Sequence, residues 1–410
     1  MDKLESIRPE CNVFMAATWP LAWENMSKMD LALNEQADFM RWVVSEGLLR
    51  EPFVLVDVGV QGGENERWQP LGGRLVVHGF DPIAEVVREL SEQNHDRPNR
   101  HYHCVALGNV DGEQAFYFNP ANPTASSMFR QGTGRFDVEN AEEPRQVVIR
   151  RLDSLLAEGL IPQADFIKID VEGFEKEVLL GARELLSGGV LGLHTETNFG
   201  VSPQYPKSHF ATLAELALDQ HLLVFDVAFD RIPRATFQRA LVDKGMKPIS
   251  ENYLVGRPAT VDVLFCRDLI DEVDQPDNYQ TPCRPLGLDQ LIKAIIIYEL
   301  HGLNDVALDT VKRFAERLGE RLDVDRAVRL LAVPDCRGHD ILWNLRKCIE
   351  AYEQSTSWRI TAPLRWAKHF VFGSPREPAQ RTCNAWAPPH SVRRRGPPTD
   401  YLLGQVLNAR

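Results

Sequence analysis

An open, mostly parallel α/β sheet is the fold that residues 53–268 predict, and three observations predict it. Short apolar runs rich in Val, Ile and Phe alternate with segments of helical periodicity. The first run passes an acid into a glycine turn, Val54-Leu55-Val56-Asp57-Val58-Gly59-Val60-Gln61-Gly62-Gly63. Two later runs also end in acids, at Asp81 and Asp170. Alternation of this kind puts helices on both faces of a parallel sheet.

Taken in order, residues 1–50 read as a helical lead-in, because Leu31, Leu33, Phe39, Trp42, Val43, Leu48 and Leu49 recur at helical spacing. Strands follow at 53–59 (FVLVDVG), 75–81 (LVVHGFD), 101–108 (HYHCVALG), 114–119 (QAFYFN), 165–170 (DFIKID), 190–196 (VLGLHTE), 222–229 (LLVFDVAF) and 261–266 (VDVLFC). Between them, Ile83 to Gln93, Phe174 to Leu186 and His209 to Asp219 have the pattern of helices. About thirty residues without a strongly periodic helix separate the last two strands, so a final strand returning antiparallel fits. Residues 51–270 then form one domain. The polar, proline-bearing stretch 271–285 has the composition of a linker. Residues 286–355 read as an accessory region of four amphipathic helices, LDQLIKAIIIYELHGL, NDVALDTVKRFAERLGERL, DVDRAVRLLAV and DILWNLRKCIEAYEQ. Residues 356–410 form a Trp- and Pro-containing tail, expected to be partly disordered.

Composition bounds the function. A chain of 410 residues with 44% hydrophobic and 25% charged residues is globular, and exceeds what one core usually serves. No apolar run approaches the ~20 residues of a membrane-spanning helix, and the N-terminus lacks the pattern of a secretory signal. A cytoplasmic location is the resulting expectation. The cysteines (Cys11, Cys104, Cys266, Cys283, Cys336, Cys348, Cys383) are odd in number and form no CxxC pair, which fits reduced thiols. The net charge of −12 argues against a nucleic-acid partner. The tail is the exception, with nine Lys and Arg against two Asp and Glu from Thr356 onward.

Each acid-ended strand suggests chemistry. Glycines at the first strand–helix turn let a cofactor approach the backbone, although a tight turn with no ligand would look the same. Gly59, Gly62 and Gly63 do not make the GxGxxG of a dinucleotide site, which disfavours a nicotinamide enzyme. Asp81, at the tip of the second strand, can accept both hydroxyl protons of a ribose; it can also cap the helix after Pro82. The stretch Asp165 to Glu175 (DFIKIDVEGFE) puts Asp170 at the end of the fourth parallel strand and Glu172 in the turn beyond, facing the same cleft.

These segments together resemble the FkbM-type methyltransferases. The resemblance covers about Phe53 to Asp268 and rests on VDVGVQGG, FDP, VALGNVDG, Ser126-Ser127, RRLDSLL, DFIKIDVEGFEKEVLLGA and Glu196. It implies a class I methyltransferase domain, a Rossmann-like doubly wound sheet of seven strands with the last antiparallel, flanked here by the N-terminal helical lead-in and the C-terminal helical extension. It also implies S-adenosylmethionine as cofactor and a hydroxyl as acceptor. By position, Asp57, Gly59 and Gly62 would border the methionine part, Asp81 the ribose, and Ala106 and Leu107 the adenine. Two sites depart from the family pattern: Val60-Gln61 replaces Ala-Asn, and Asp81 replaces Glu.

A neutral hydroxyl needs help to lose its proton, and Asp170, Glu172 and Glu196 are the candidate bases. Glu172 could instead hold its turn, and His194 could be a satisfied strand histidine. Ser126, Ser127, His194 and Asn198 are candidate substrate contacts. No residue is assigned to a metal, although Asp170, Glu172, Glu196 and Asn198 have the oxygen donors that would suit magnesium. The acceptor expected is a carbohydrate hydroxyl of a glycan, glycolipid or glycosylated metabolite. A catalytically inactive scaffold of surface-polysaccharide assembly is the alternative, made conceivable by the altered Val60-Gln61 turn and the large helical addition, while Ser355 to Trp366 resembles a short C-terminal element of bacterial glycosyltransferases and other surface-polysaccharide enzymes and so suggests the pathway. The extension could cover the cleft, form a homodimer surface or bind another enzyme. Trp358, Trp366, Phe370 and Phe372, interleaved with Arg359, Arg365 and Lys368, would suit peripheral contact with an anionic membrane face.

Overall fold

The structure, a computed structural model, describes residues 37–130, 142–199, 208–232, 234, 239, 243, 256–279 and 285–332. Residues 1–36, the helix expected from Asp340 onward and the tail with its tryptophans lie outside them; only Ala37 and its successors represent the lead-in. The described residues fall in one compact unit, Met1–Asp335.

A seven-stranded sheet organises this unit. Its strands are β1 (Phe53–Val58), β2 (Leu75–Phe80), β3 (Arg100–His103), β7 (Phe166–Ile169), β8 (Gly192–Asn198), β9 (Leu223–Ile232) and β10 (Arg257–Cys266), in the order β3-β2-β1-β7-β8-β10-β9. The first five in that order pair in parallel. β10 runs antiparallel between β8 and β9, so the chain returns as the sequence suggests. β1 is buried along its whole length, as a central strand covered on both faces must be.

Two sequence-predicted strands lie elsewhere. The run 101–108 divides at Cys104-Val105, where the Val105 amide turns back onto the His103 carbonyl, 3.0 Å. Its second half becomes β4 (Ala106–Leu107), which joins a separate small sheet with β5 (Gly112–Phe118) and β6 (Glu143–Arg150), in the order β4-β6-β5. The 114–119 run is therefore β5 of this small sheet and not a strand of the main one. β6 was not anticipated: EPRQVVIR is largely exposed and lacks a buried run.

Helices cover both faces: α1 (Asp38–Ser45), α2 (Ala84–Gln93), α3 (Leu152–Ala157), α4 (Glu175–Leu180), α5 (Arg183–Ser187) and α6 (Phe210–Leu218). The single helix expected over 174–186 is α4 and α5, broken at Gly181-Ala182. A Cβ at Gly181 would lie 1.9 Å from the Gly108 carbonyl oxygen, so only glycine permits that approach. Asp153 of the RRLDSLL segment then caps α5, accepting from the Glu184 and Leu185 amides at 3.0 Å each.

After Cys266 come α7 (Asp271–Asp274), α8 (Leu288–Leu300), α9 (Asn304–Arg313), α10 (Ala315–Gly319) and α11 (Val324–Leu331). The start of the expected linker is thus a helical turn, held by a buried pair of Arg267 and Glu272 at 2.5 Å. α8 is not amphipathic: residues 291–300 are all buried, as a helix apolar on every side requires. Its isoleucines share one core with α1, Phe53, Leu55, Leu75, Val77 and Phe166. A second core on the other face joins Val56, Val58, Ile167, Ile169 and Leu193 to α3, α4, α5 and α6. At roughly 1.5–3 kcal/mol per fully buried aliphatic chain, Ile295, Ile296 and Ile297 make α8 a principal contributor to stability.

Candidate active site

The site lies at the carboxyl ends of β1, β2, β7 and β8. Each strand delivers one group there. Asp57 is the penultimate residue of β1 and Glu196 lies near the end of β8, while Asp81 and Asp170 directly follow β2 and β7. Parallel pairing sets the first three side by side, with Asp57 opposite Lys168 and Val58 opposite both Phe80 and Ile169.

A cleft, open to solvent, is walled by Gly59, Gln61, Asp81, Pro82, Ile83, Ala106, Leu107, Ser126, Asp170, Glu172 and Glu196, with Phe80, Phe116, Met128 and Phe174 as apolar backing. Polar groups converging over an apolar backing are what a small-molecule pocket requires. The small sheet supplies one wall through β4 and Phe116. Among the sequence-predicted residues, Gly59, Asp81, Ala106, Leu107, Ser126, Asp170, Glu172 and Glu196 meet at the cleft. Asp57, Gly62, Ser127, His194 and Asn198 stand outside its walls.

The turns are built by backbone geometry. Gly59 has φ of 80°, and a Cβ there would lie 1.8 Å from the Asp170 carbonyl oxygen, so the first and fourth turns touch backbone to backbone. Gly62 has φ of 84° with open space around it. Glu172 adopts φ of 53°, uncommon for a side-chain-bearing residue, and its carbonyl accepts from Ser127 Oγ at 2.8 Å. Ser127 also accepts from the Phe129 amide, 3.0 Å, and so ties its loop to the turn. Ser126 faces the cleft, its hydroxyl accepting from the Asn119 amide at 3.0 Å.

Electrostatically the site is under-neutralised. Asp57 is 4% exposed, and burial drives its carboxyl up to about 6 against the pull of Lys168. Asp81 is 5% exposed and likewise raised to about 6 by burial, although Oδ1 accepts from the Ile83 amide at 2.8 Å. A carboxylate has about four acceptor positions, so Asp81 keeps capacity for a diol. Glu196 is raised well above the usual range, first by burial and then by Asp170, Asp262, Glu172 and Glu175. His194 Nε2 stands 3.5 Å from Asp262 on β10. Lys168 is the residue that sequence reading passed over, although it sits inside the IKIDVEG stretch. Its Nζ donates to the Gly59 carbonyl at 2.9 Å and lies 3.3 Å from Asp170 and 3.5 Å from Asp57. Its position in a strand of buried apolar residues, between two acids, was the available signal.

Asp57 Oδ1 is a buried acceptor with no hydrogen bond, next to an open glycine turn, while Asp81 and the apolar β4 wall suit a nucleoside. These residues fit a cationic amino-acid nucleoside such as S-adenosylmethionine. Among the described residues, no group of three His, Cys, Asp or Glu side chains is placed to hold a metal ion.

A seven-stranded sheet in this order, with one strand reversed near its edge, is the architecture of the class I methyltransferase fold. Residues 57–200 match the family model described as the methyltransferase FkbM domain. Solved structures give looser likenesses. Methyltransferase FkbM from Methylobacillus flagellatus KT is 15% identical, with 55% of this chain and 47% of that chain covered and a TM-score of 0.32. The match thus spans under half of that protein. Fibrillarin from Aeropyrum pernix, in complex with natively bound S-adenosyl-L-methionine, is 11% identical, covering 55% and 76% at 0.25. The 1,6-didemethyltoxoflavin-N1-methyltransferase of Burkholderia thailandensis is 11% identical, covering 63% and 86% at 0.24. No curated protein matches.

Proposed function

We propose that the chain is an S-adenosylmethionine-dependent O-methyltransferase acting on a hydroxyl of a carbohydrate, borne by a glycan, glycolipid or glycosylated metabolite. The observation that carries the reading is the placement of Glu196 on the same cleft as Asp81 and the β4 wall, so that a base stands beside a nucleoside pocket. When bound, the cofactor supplies an activated methyl electrophile, and the protein's work is alignment and proton removal.

Asp81 would accept the ribose hydroxyls, Ala106 and Leu107 would pack on the adenine, and the Asp57–Gly59 turn would border the methionine end. Of the three candidate bases, Asp170 is paired with Lys168 at 3.3 Å. Glu172 belongs to a strained turn tied down by Ser127. Glu196 has the elevated proton affinity that general-base work near neutral pH requires, and it would take the acceptor proton as the carbon–oxygen bond forms. Magnesium is not invoked in this step.

Calorimetric titration of S-adenosylmethionine and S-adenosylhomocysteine into wild type and Asp81→Ala tests the cofactor half. Micromolar binding by wild type, weakened at least tenfold in the variant, is expected. Transfer of a labelled methyl group to a panel of mono- and oligosaccharides tests the acceptor half. Cofactor binding without transfer to any hydroxyl would favour the inactive scaffold; no binding by folded protein would remove the methyltransferase reading altogether.

A further inference from the structure

Lys168 is unusually well used for a lysine. An ammonium group offers three protons, and here three acceptors surround it: the Gly59 carbonyl at 2.9 Å, Asp170 Oδ2 at 3.3 Å and Asp57 Oδ1 at 3.5 Å. The first is a good hydrogen bond, and the last is an ion-pair contact too long for one. Burial alone would lower the proton affinity of the amine, yet Asp57 and Asp170 outweigh it and hold Lys168 charged. Other charges around Asp57 are already committed. Glu64, which also faces it, is held by Arg100 at 2.7 Å and by the Tyr102 hydroxyl at 3.2 Å.

The three acceptors belong to two turns that already meet at one point. The Asp170 amide donates to the Val58 carbonyl at 2.9 Å, and the Gly59 α-carbon packs on the Asp170 carbonyl. Without a cation between them, two carboxylates and two carbonyl dipoles would face one another across this contact. The glycine turn is tied to the end of β2, with the Gly59 and Val60 amides both donating to the Phe80 carbonyl at 2.9 and 3.2 Å, and Lys168 adds the side-chain tie between this turn and the Asp170 turn. The nucleoside side of the cleft has further ties of its own, the Asp81 contact to the Ile83 amide and the pairing of β4 in the small sheet.

We propose that Lys168 is a positioning residue for methyl transfer, which clips the Asp57–Gly59 turn to the Asp170 turn and so shapes the wall that receives the amino-acid end of the cofactor. The inference rests on the cofactor reading above. It divides the pocket into two halves with different dependencies: the amino-acid half relies on Lys168, and the nucleoside half does not.

Two probes that differ only in the amino-acid end separate the halves. S-Adenosylhomocysteine carries it, and 5′-methylthioadenosine has the same nucleoside and thioether without it. In Lys168→Met the affinity for S-adenosylhomocysteine is expected to fall at least tenfold, while 5′-methylthioadenosine stays within twofold of wild type. Should Lys168→Met fail to fold, Lys168→Gln keeps one donor for Gly59 but no charge, and is expected to show the same selective loss. Equal loss of both ligands in a folded variant, or an unchanged affinity for S-adenosylhomocysteine, would overturn the proposal. Wild type that binds neither ligand would instead defeat the cofactor reading on which it stands.

Discussion

The two ends of the main sheet hold similar numbers of buried acids and treat them in opposite ways. At the amino-terminal end every such acid has firm partners. Asp165 accepts from Lys293 at 2.9 Å and from the Val54 amide at 2.7 Å. Asp289 takes the Arg50 and Glu51 amides and Arg321. Glu299 takes the Phe39 and Met40 amides at the start of α1. At the carboxyl-terminal end, Asp57 and Asp81 are buried and Asp170, Glu172 and Glu196 half-buried, and Lys168 comes within ion-pair reach of Asp57 and Asp170 alone among these five. Buried charge that is fully paired is architecture, whereas buried charge left short of partners costs stability and is kept where a ligand completes it.

The contrast can be broken most forcefully at the base. Lys293→Met leaves Asp165 buried without its cation and should destabilise the fold by about 3–5 kcal/mol. Chemical denaturation would read that loss, with affinity for S-adenosylhomocysteine unchanged in the folded fraction.

A second test uses pH. Burial raises Glu299 from 4.5 to about 7, so the folded state holds a proton that the unfolded state releases above pH 4.5. The stability this contributes is complete below pH 4.5 and is lost as pH rises through 7, a change on the order of 3 kcal/mol. Thermal unfolding of wild type should therefore move to lower temperature between pH 5 and 7.5. Glu299→Gln should show a flatter profile, with the slope that remains owed to Asp57, Asp81, Asp165, Glu175 and Glu196, all raised in the same direction.

The smallest stability effect should come from the cleft, with reversed sign. Glu196→Gln removes one acid from a crowd of like charges and should stabilise by about 1 kcal/mol, in keeping with the usual tension between activity and stability. Turnover, once an acceptor is in hand, should drop roughly 10²-fold or more. A variant both less stable and fully active would argue against the division of labour between the two ends.

Much of this was legible in the sequence, because the central strands are short apolar runs that end in acids, and the pattern that buries them is the pattern that places the site. What sequence could not resolve depends on contacts between distant segments. The split of 101–108 into β3 and β4 follows from pairing of Ala106 and Leu107 with β6, a strand with no strong periodicity of its own. The break at Gly181 follows from the approach of Gly108. Lys168 was hidden because a lysine inside a strand carries no signature until the three acceptors around it are known. The segment of α8 reads as an amphipathic helix in the sequence; that it is buried on every side follows from the core it shares with α1 and the sheet.

That last feature bears on how the chain can be cut. The stretch matching the methyltransferase family model, residues 57–200, contains the cleft but neither α8, α1 nor most of β1, and without them Leu75, Val77 and Phe166 would face water. Glu299 reaches back to the amides that open α1, and Arg321 reaches Asp289 and the Leu48 carbonyl, so segments more than 250 residues apart close over the same face. The family boundary is therefore a boundary of ancestry and not of folding. A fragment trimmed to it would carry the whole catalytic vocabulary on an unfinished platform, and recombination that exchanged methyltransferase domains between relatives would have to carry both flanks along.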